Sequence, residues 1–442
     1  MTATFAALAW VLSIQQIVPG QPHVTPVLMP QDVSLGVDIG SVQVTAAEAA
    51  HIAVEKSPKL RLARAQLLGA HGNTIQARSG LLPSVSLNSS RTSVTSIRGG
   101  GNSANGGGGG NSTSADLSAS QLLFDFGHTV ALTRQAMASE KAAFHALGRA
   151  EDDLIFQTKL AYYLLSLNAG LVGVQEANVK DRQAQLDLAQ ARVTAGPGEP
   201  SDLLAAQTNL AEAIQQLVLA RSVALSARIA LAIAIGIDPR TPISESDSAE
   251  PGIAADFAGL YRQALETRPD LLQSIQLLRA AGYEVEASRT VTAPALSIGA
   301  GYSASGPNDF STNRSTSLGI SLSWAIFDGF NSRGKRIAAQ ADLDTAKANL
   351  AELQLSIGSD VATAWSALQY AQQRLPITQG ELTNATESLR IAAGRYKAGI
   401  GPFLGVTDAE ASLVTARQAV VSANTSVSVA LATLRHAVGD VR

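Results

Sequence analysis

Hydrophobic and polar residues alternate one by one in short stretches of the chain and recur every three or four residues in longer ones. The clearest alternation runs from Leu318 to Ile326, where large apolar residues occupy every second position between serine, glycine and alanine. A period of two is typical of a strand with one apolar and one small polar face. Patterns of this kind predict strands at about residues 84–97, 115–124, 295–304 and 316–327.

The helical period covers two unusually long segments, residues 128–195 and 331–397. A helix of about 67 residues is roughly 100 Å long, which is longer than a compact domain requires. Gly196 and Gly399 end these segments, because glycine accepts the left-handed conformation that closes a helix. The pattern therefore predicts two long rods, each ending in a sharp reversal.

In each copy a shorter helix is predicted before the two strands, and another is predicted after the rod. They cover Thr45 to Ser79 and Ala254 to Thr290 before the strands, and residues 201–236 and 403–439 after the rods. Thr407 and Glu410 have the spacing of a capping box for a late start of the last helix. Two short helices stacked end to end match one rod in length, which favours long antiparallel helical hairpins.

The chain carries an internal duplication. Equivalent residues lie 211 positions apart before the second strand of each copy and 203 apart after it, as in the pairs Pro58 and Pro269, Pro83 and Pro294, Phe124 and Phe327, Asp125 and Asp328, Arg192 and Arg395, Gly196 and Gly399. The length difference falls in the glycine-rich loop from Gly99 to Ser114. We therefore expect an N-terminal extension at 1–44, repeats at 45–242 and 254–442, and a linker at 243–253.

Each copy has one strand-to-helix corner with a related sequence. The first reads LLFDFG and contains Phe124 and Asp125; the second reads AIFDGF and contains Phe327 and Asp328. Aspartate is a favoured N-cap residue because its carboxylate accepts a hydrogen bond from an amide of the first helical turn. Both aspartates are therefore predicted to start the rods.

Four strands cannot close a membrane barrel, because even a small filled barrel needs about eight. Open sheet edges do not occur in lipid, so a membrane-spanning chain of this type must form an oligomer. The apolar run from Phe5 to Val18 is too short for a transmembrane helix and suits an export signal, although no Lys or Arg precedes Lys56.

Composition and motifs argue against several functions. The formal net charge is -3 and only 16% of residues are charged. The chain therefore lacks the overall positive charge that would favour a nucleic-acid partner. Cysteine is absent, and the six histidines form no zinc-binding spacing. Because no nucleophile elbow or phosphate-binding loop occurs either, we expect no enzyme activity, no cofactor and no metal.

Taken together, these features resemble the TolC-like outer-membrane efflux channel family. The resemblance extends from about Thr45 to Gly439 and rests on the order of the doubled prolines, the LFDFG and IFDGF corners, and the tip sequences RVTAG, RYKAG, SDLLAAQ and LGVTDAEA. It implies a mainly α fold whose four strands join a trimeric, twelve-stranded transmembrane β-barrel above a helical periplasmic tunnel. It also implies a passive duct in the outer-membrane lipid, served by a periplasmic adaptor protein and an inner-membrane transporter of an efflux pump or type I secretion system.

The resemblance also assigns roles at the helical tip. Tyr396 and Asp202 resemble a pair that links the helices of the closed gate, and Asp408 resembles a pore-lining acid. The tip turns, expected to dock the adaptor, contain Arg192, Gly196, Arg395 and Gly399. The simpler alternative for both aspartates is that they begin helices, which aspartate favours.

One different class of function remains open at this level. A secreted or periplasmic structural coiled coil, whose hairpins are small packing domains, has the same periodicities without a channel. The two alternatives differ in whether the protein is an outer-membrane oligomer or an extended soluble monomer.

Overall fold

The computed structural model describes residues 42–94, 110–196, 198–241, 243–246, 256–307 and 309–441. The predicted export signal and most of the glycine-rich loop lie outside these ranges. Gly110, the first described residue after that loop, already belongs to a strand.

The two halves of the chain have the same order of elements. The first half contains β1 (Val42–Val44), α1 (Ala46–Lys56), α2 (Pro58–Ser79), β2 (Ser84–Val94), β3 (Gly110–Phe124), α3 (His128–Ala195) and α4 (Pro200–Ile235). The second contains β4 (Ile243–Glu245), α5 (Phe257–Thr267), α6 (Pro269–Thr290), β5 (Ala295–Gly306), β6 (Asn313–Ser323), α7 (Asn331–Lys397) and α8 (Phe403–Val438).

The helix before each pair of strands is divided in two, which corrects the prediction of one continuous helix. The break falls at Ser57 in the first half and at Arg268 in the second, and each residue precedes a proline. Both have extended ψ angles, 129° and 121°, because the proline ring disfavours helical geometry in the residue before it. The prolines therefore end one helix and begin the next.

Two short strands were missed by the sequence analysis. Val42–Val44 pairs in parallel with Ile243–Glu245, so part of the predicted N-terminal extension and part of the predicted linker belong to the fold. A three-residue strand is too short to show a period. Its partner lies about 200 residues away in sequence, so only the folded chain brings the pair together.

The larger sheet of the described residues has the antiparallel order β2-β3-β5-β6. One face carries serine hydroxyls paired across neighbouring strands, including Ser86 with Ser118 and Ser297 with Ser321, both at 2.8 Å. The other face carries apolar side chains, with Leu318, Ile320 and Leu322 between 66% and 77% exposed in the single chain. The predicted alternation is therefore present, with a polar and an apolar face.

The last strand ends earlier than predicted. β6 stops at Ser323, which pairs with Ala295, the first residue of β5. Beyond this point β5 offers no further partner, and the Trp324 indole instead donates to the Thr292 carbonyl at 3.1 Å. Ile326 and Phe327 lie in the connection to α7 and are exposed.

The long helices form the body below the sheet. At 68 and 67 residues, α3 and α7 have the predicted extents, and α7 continues through Pro376. Because α3 packs against α2, α4, α6 and α8, whereas α7 packs against α5, α6 and α8, the two rods occupy different environments. Apolar clusters fill the space between α7 and α8 and between α1, α3 and α4.

One helix of the described residues, α4, is long and apolar enough to cross a membrane by length and composition. This property comes from the run of alanine, leucine and isoleucine toward the end of α4, and a helix that packs inside a bundle can have the same length and composition. In this chain α4 packs along α3.

Arg268 fixes the helix break in the second half. Its side chain is 4% exposed and forms ion pairs with Asp270 at 2.6 Å and Asp360 at 3.0 Å. It also donates to the Ala437 carbonyl at 3.2 Å. One buried guanidinium therefore joins α6, α7 and the end of α8.

Replacing Arg268 with methionine leaves the Asp270 carboxylate and a carbonyl without this donor, so we expect a loss of about 3–5 kcal/mol in stability. The midpoint of thermal unfolding of the purified protein measures it. Arg240→Met is the control: that arginine is 90% exposed and its removal should leave the midpoint unchanged. Equal midpoints for both variants would contradict a structural role for Arg268.

Candidate functional site

Glycines form the two turns at the tip of the helical hairpins. Gly196 and Gly399 have φ angles of 97° and 77°, a left-handed conformation that side chains disfavour. Gly198 is also required: an added Cβ would lie 2.4 Å from the Val193 nitrogen. The tip therefore depends on glycine both for conformation and for close backbone approach.

Tyr396 and Asp202 meet at this tip. The Tyr396 hydroxyl donates to Asp202 Oδ2 at 3.1 Å, and the bond joins the end of α7 to the first turn of α4. Tyr396 is 3% exposed. Burial raises the pKa of its hydroxyl, and the Asp202 carboxylate raises it further, so the tyrosine stays protonated and remains a donor.

Arg192 closes the same contact from α3. Its Nη1 donates to the Tyr396 carbonyl at 2.5 Å, and the guanidinium carbon lies 4.3 Å from the centre of the Tyr396 ring. A cation over an aromatic face is attracted by the ring quadrupole. Tyr396 thus connects α7 with both α3 and α4, the two helices of the first hairpin.

Apolar packing supports this polar contact. Phe403 lies with its ring centre 5.4 Å from that of Tyr396, and both belong to a buried cluster with Ala189, Ala206 and Val406. The cluster draws on α3, α4, α7 and α8. Separating the helices at the tip would therefore expose apolar surface as well as break hydrogen bonds.

Other predicted tip residues do not join the cluster. Asp408 and Arg395 are exposed. Gly401 and Gly405 lie at the same tip, and neither position supplies a charge. In the single chain the structure brings together Arg192, Asp202 and Tyr396 and leaves Asp408 apart.

Glu410 is the site residue whose role sequence reasoning missed. The capping-box prediction for Thr407 and Glu410 is wrong, because α8 already begins at Phe403 and the Thr407 hydroxyl donates to the Phe403 carbonyl. Glu410 is instead fully buried. The signal was present in its spacing: with Phe403, Val406 and Leu413 it forms the 3-4-3 series of one buried helix face.

The strand-to-helix corners place their aspartates at the starts of the rods. Asp125 Oδ2 accepts from the Thr129 amide at 2.7 Å, and Asp328 Oδ2 accepts from the Ser332 amide at 2.8 Å. Each aspartate lies two residues before the cap position, which Gly127 and Phe330 occupy, so the prediction that the aspartates are the N-cap residues is wrong. The carboxylates thus satisfy first-turn amides from a preceding position.

The sequences DFG and DGF produce the same corner. Both residues after the aspartate have positive φ: 57° and 85° at Phe126 and Gly127, and 65° and 68° at Gly329 and Phe330. In each copy one glycine and one phenylalanine occupy the two consecutive positions with left-handed backbone conformation. The neighbouring phenylalanines, Phe124 and Phe327, are exposed and contact the corner ring in their own copy.

Among the described residues, no group of three or more histidine, cysteine, aspartate or glutamate side chains is arranged to hold a metal ion. The contacts at the tip link different helices, and those at the corners stabilise the start of each rod.

Comparisons with known proteins place this arrangement in a family. The sequence profile of the outer membrane efflux proteins matches residues 49–237 and 260–440. The chain belongs to the outer membrane efflux protein family. The fold and the family membership both agree with the resemblance drawn from the sequence. The membership excludes the alternative of a secreted or periplasmic structural coiled coil.

Related sequences and solved structures agree with this membership. Protein CyaE of Bordetella pertussis is 27% identical over 384 residues, covering 84% of this chain and 79% of that protein. The pyoverdine export outer membrane protein OpmQ of Pseudomonas aeruginosa is 26% identical over 381 residues, covering 84% and 79%. The CmeC outer membrane channel of Campylobacter jejuni has a TM-score of 0.80 at 18% identity, covering 90% of this chain and 86% of that one.

A member of the outer membrane efflux protein family is a passive duct and not an enzyme, as the sequence analysis predicted. Its place is the outer membrane. The mainly helical fold with few strands is also confirmed, because solved outer-membrane channels share it. VceC of Vibrio cholerae has a TM-score of 0.76 at 22% identity, covering 89% of this chain and 96% of that one, and CmeC agrees with it.

The corner can be tested at Asp125. Asp125→Ala removes the acceptor for the Gly127 and Thr129 amides, and we expect a loss of about 1 kcal/mol in the thermal unfolding of the purified protein. Asp125→Asn keeps one acceptor oxygen and should lose less. If both variants unfold like the wild type, the carboxylate does not stabilise the start of α3.

Proposed function

We propose that this outer membrane efflux protein acts as a homotrimeric exit duct, closed at its periplasmic tip by the Tyr396 contacts. The observation that carries the proposal is that the single chain leaves matching edges open on its two sides. One side presents β2, α2 and α4, and the other presents β6 and α7.

The sheet supplies the first pair of edges. Within the described residues β2 and β6 each pair on one side only, so each retains a row of unpaired backbone donors and acceptors. In lipid those groups need partners. If β2 of one copy pairs with β6 of the next, every such group gains a partner once the copies close into a ring.

The helices supply a second pair of complementary edges. On α7, large exposed apolar residues fall within a sector of about 60° at 3.6 residues per turn: Ile337, Leu355, Tyr370, Ile377 and Ile391. The opposite side of the chain exposes Leu68 and Ile75 on α2 and Leu204, Val218 and Leu219 on α4. An apolar stripe along a full-length rod fits against two shorter helices stacked end to end.

The number of strands favours three copies. Two copies give eight strands, a barrel whose interior side chains fill, whereas three give twelve and leave a lumen. The serine-lined face of the sheet suits that lumen, because its side chains are small and polar, and the apolar face suits lipid.

Partners follow from the absence of an energy source. The sequence contains no nucleotide-binding loop, so we propose that a periplasmic adaptor and an inner-membrane transporter drive the cargo. We place adaptor docking at the tip turns, near Arg192, Gly196, Arg395 and Gly399. Exposed apolar residues there, Ile400 at 75% and Leu404 at 67%, support a protein contact.

The trimer is tested at Leu355, which is 78% exposed in the single chain. Leu355→Glu places a charge in the proposed apolar contact, where an unpaired charge is costly, and should shift the protein in detergent from trimer to monomer. Light scattering after size-exclusion chromatography measures the mass. Ser356→Glu, about 100° around the helix, should remain trimeric; a trimer with both variants would contradict this contact face.

The gate is tested at Tyr396 and Asp202. Tyr396→Phe combined with Asp202→Ala removes a hydrogen bond to a charged acceptor, about 1.5–3 kcal/mol per protomer, and should raise single-channel conductance in planar bilayers. Tyr261→Phe, which removes a hydroxyl far from the tip, should conduct like the wild type. Unchanged conductance in the double variant would remove the proposed lock.

A further inference from the structure

Glu410 is a buried acid in the helical tip. Its side chain has no exposed surface, and within the structure neither carboxylate oxygen accepts a hydrogen bond. It lies on the inner face of α8 between Val406 and Leu413. A buried carboxylate without hydrogen bonds is stable as the neutral acid rather than as the anion.

The charges around Glu410 do not provide a strong partner for the anion. Arg182 of α3 lies 3.4 Å from Oε2, longer than the roughly 2.7–2.9 Å of a charge-assisted hydrogen bond. Arg417, about two turns further along the same face of α8, is already paired with Asp181 of α3 at 2.8 Å. Asp181 itself adds a negative charge near the site.

The same site adjoins the Tyr396 contact. A cavity of about 210 Å³ between α3, α7 and α8 has Glu410 and Asp181 in its wall together with Tyr396 and Phe403. That volume holds several water molecules. Water that enters this cavity would therefore contact both the Glu410 carboxyl group and the apolar residues that pack against Tyr396.

We propose that Glu410 is a proton-binding gate residue: its neutral form keeps α8 packed against α3 and the tip closed, and its ionisation loosens that packing. The proposal rests on the duct function and its periplasmic gate, and it adds a buried acid to the hydrogen bonds of Tyr396 at the same tip. An ionised Glu410 gains hydration when the helices separate, whereas the neutral acid does not need it.

The direction of the pH dependence follows from the closed structure. Burial raises the pKa of Glu410 from 4.5 to about 7; Arg182 and Arg417 act against the rise, and Asp181 adds to it. Across the cavity Tyr396 is a neutral donor in this range. Because the closed state binds the proton more tightly than a hydrated open state, its extra stability is complete below about pH 4.5 and is lost as the pH rises through 7.

Thermal unfolding of wild type and Glu410→Gln at pH 5 and pH 8 tests proton binding without reference to transport. Glutamine imitates the neutral acid, so the two proteins should unfold at the same temperature at pH 5. At pH 8 the wild type should unfold at a lower temperature than the variant. A lower midpoint for the variant at pH 8 would show a stabilising anion paired with Arg182, and equal midpoints at both pH values would show no titration; either result overturns the proposal.

Planar-bilayer recordings from pH 5 to pH 8 test the gate. The open-to-closed ratio of the wild type should rise with pH, up to roughly tenfold per pH unit for each Glu410 that ionises on opening, between the pKa of 4.5 for a hydrated acid and the pKa of about 7 in the closed state. The ratio of Glu410→Gln should stay at the low value that the wild type has in acid. Glu212→Gln, which neutralises an exposed acid on α4, should follow the wild type.

The two proposals fail in different ways. A Glu410→Gln profile that rises with pH like the wild type would overturn the role of Glu410 while the duct stands. A wild-type protein that forms no channel at any pH would overturn the duct, and the unfolding comparison would still decide whether Glu410 binds a proton in this range.

Discussion

Backbone hydrogen bonding in lipid is the constraint on which the structure depends. The sheet β2-β3-β5-β6 satisfies its inner strands but leaves one side of β2 and one side of β6 open. No side chain can correct this, because the unsatisfied groups belong to the backbone. In the proposed trimer each chain is therefore one segment of the wall, and its two sides are complementary to each other, as a closed ring requires.

The repeated element order places two similar rods in different positions. α3 lies inside the protomer, with helices on both sides and a long set of buried residues that includes Tyr162 and Tyr163. α7 lies at an edge, and its opposite face carries large exposed apolar residues. One rod thus holds the protomer together, and the other is available to hold protomers to one another.

The tip combines contacts of different strength. The Tyr396 hydroxyl and the Arg192 guanidinium link the two hairpins through single hydrogen bonds at a partly buried contact, and each bond contributes about 1.5–3 kcal/mol. Glu410 lies deeper, where an ionisable group makes the packing itself dependent on protonation. The gate that we propose needs contacts that close reliably and open without unfolding the rods, and hydrogen bonds beside a buried acid are suited to both needs.

Local sequence determined the elements of this protein. The periods of two and 3.6, the glycines at the tips and the repeated corners located the strands, the rods and their ends to within a few residues, because these depend on neighbouring residues and backbone conformation. The pairing of Tyr396 with Asp202 came from the family resemblance and not from any period or spacing in the chain.

Tertiary structure decided what depends on residues far apart in the chain. The pairing of Val42–Val44 with Ile243–Glu245, the early end of β6 and the burial of Glu410 each require a partner from elsewhere in the fold. Glu410 shows the reason most clearly: its spacing is compatible with an exposed cap or a core position, and only the packing of α3 and α7 against α8 removes it from water.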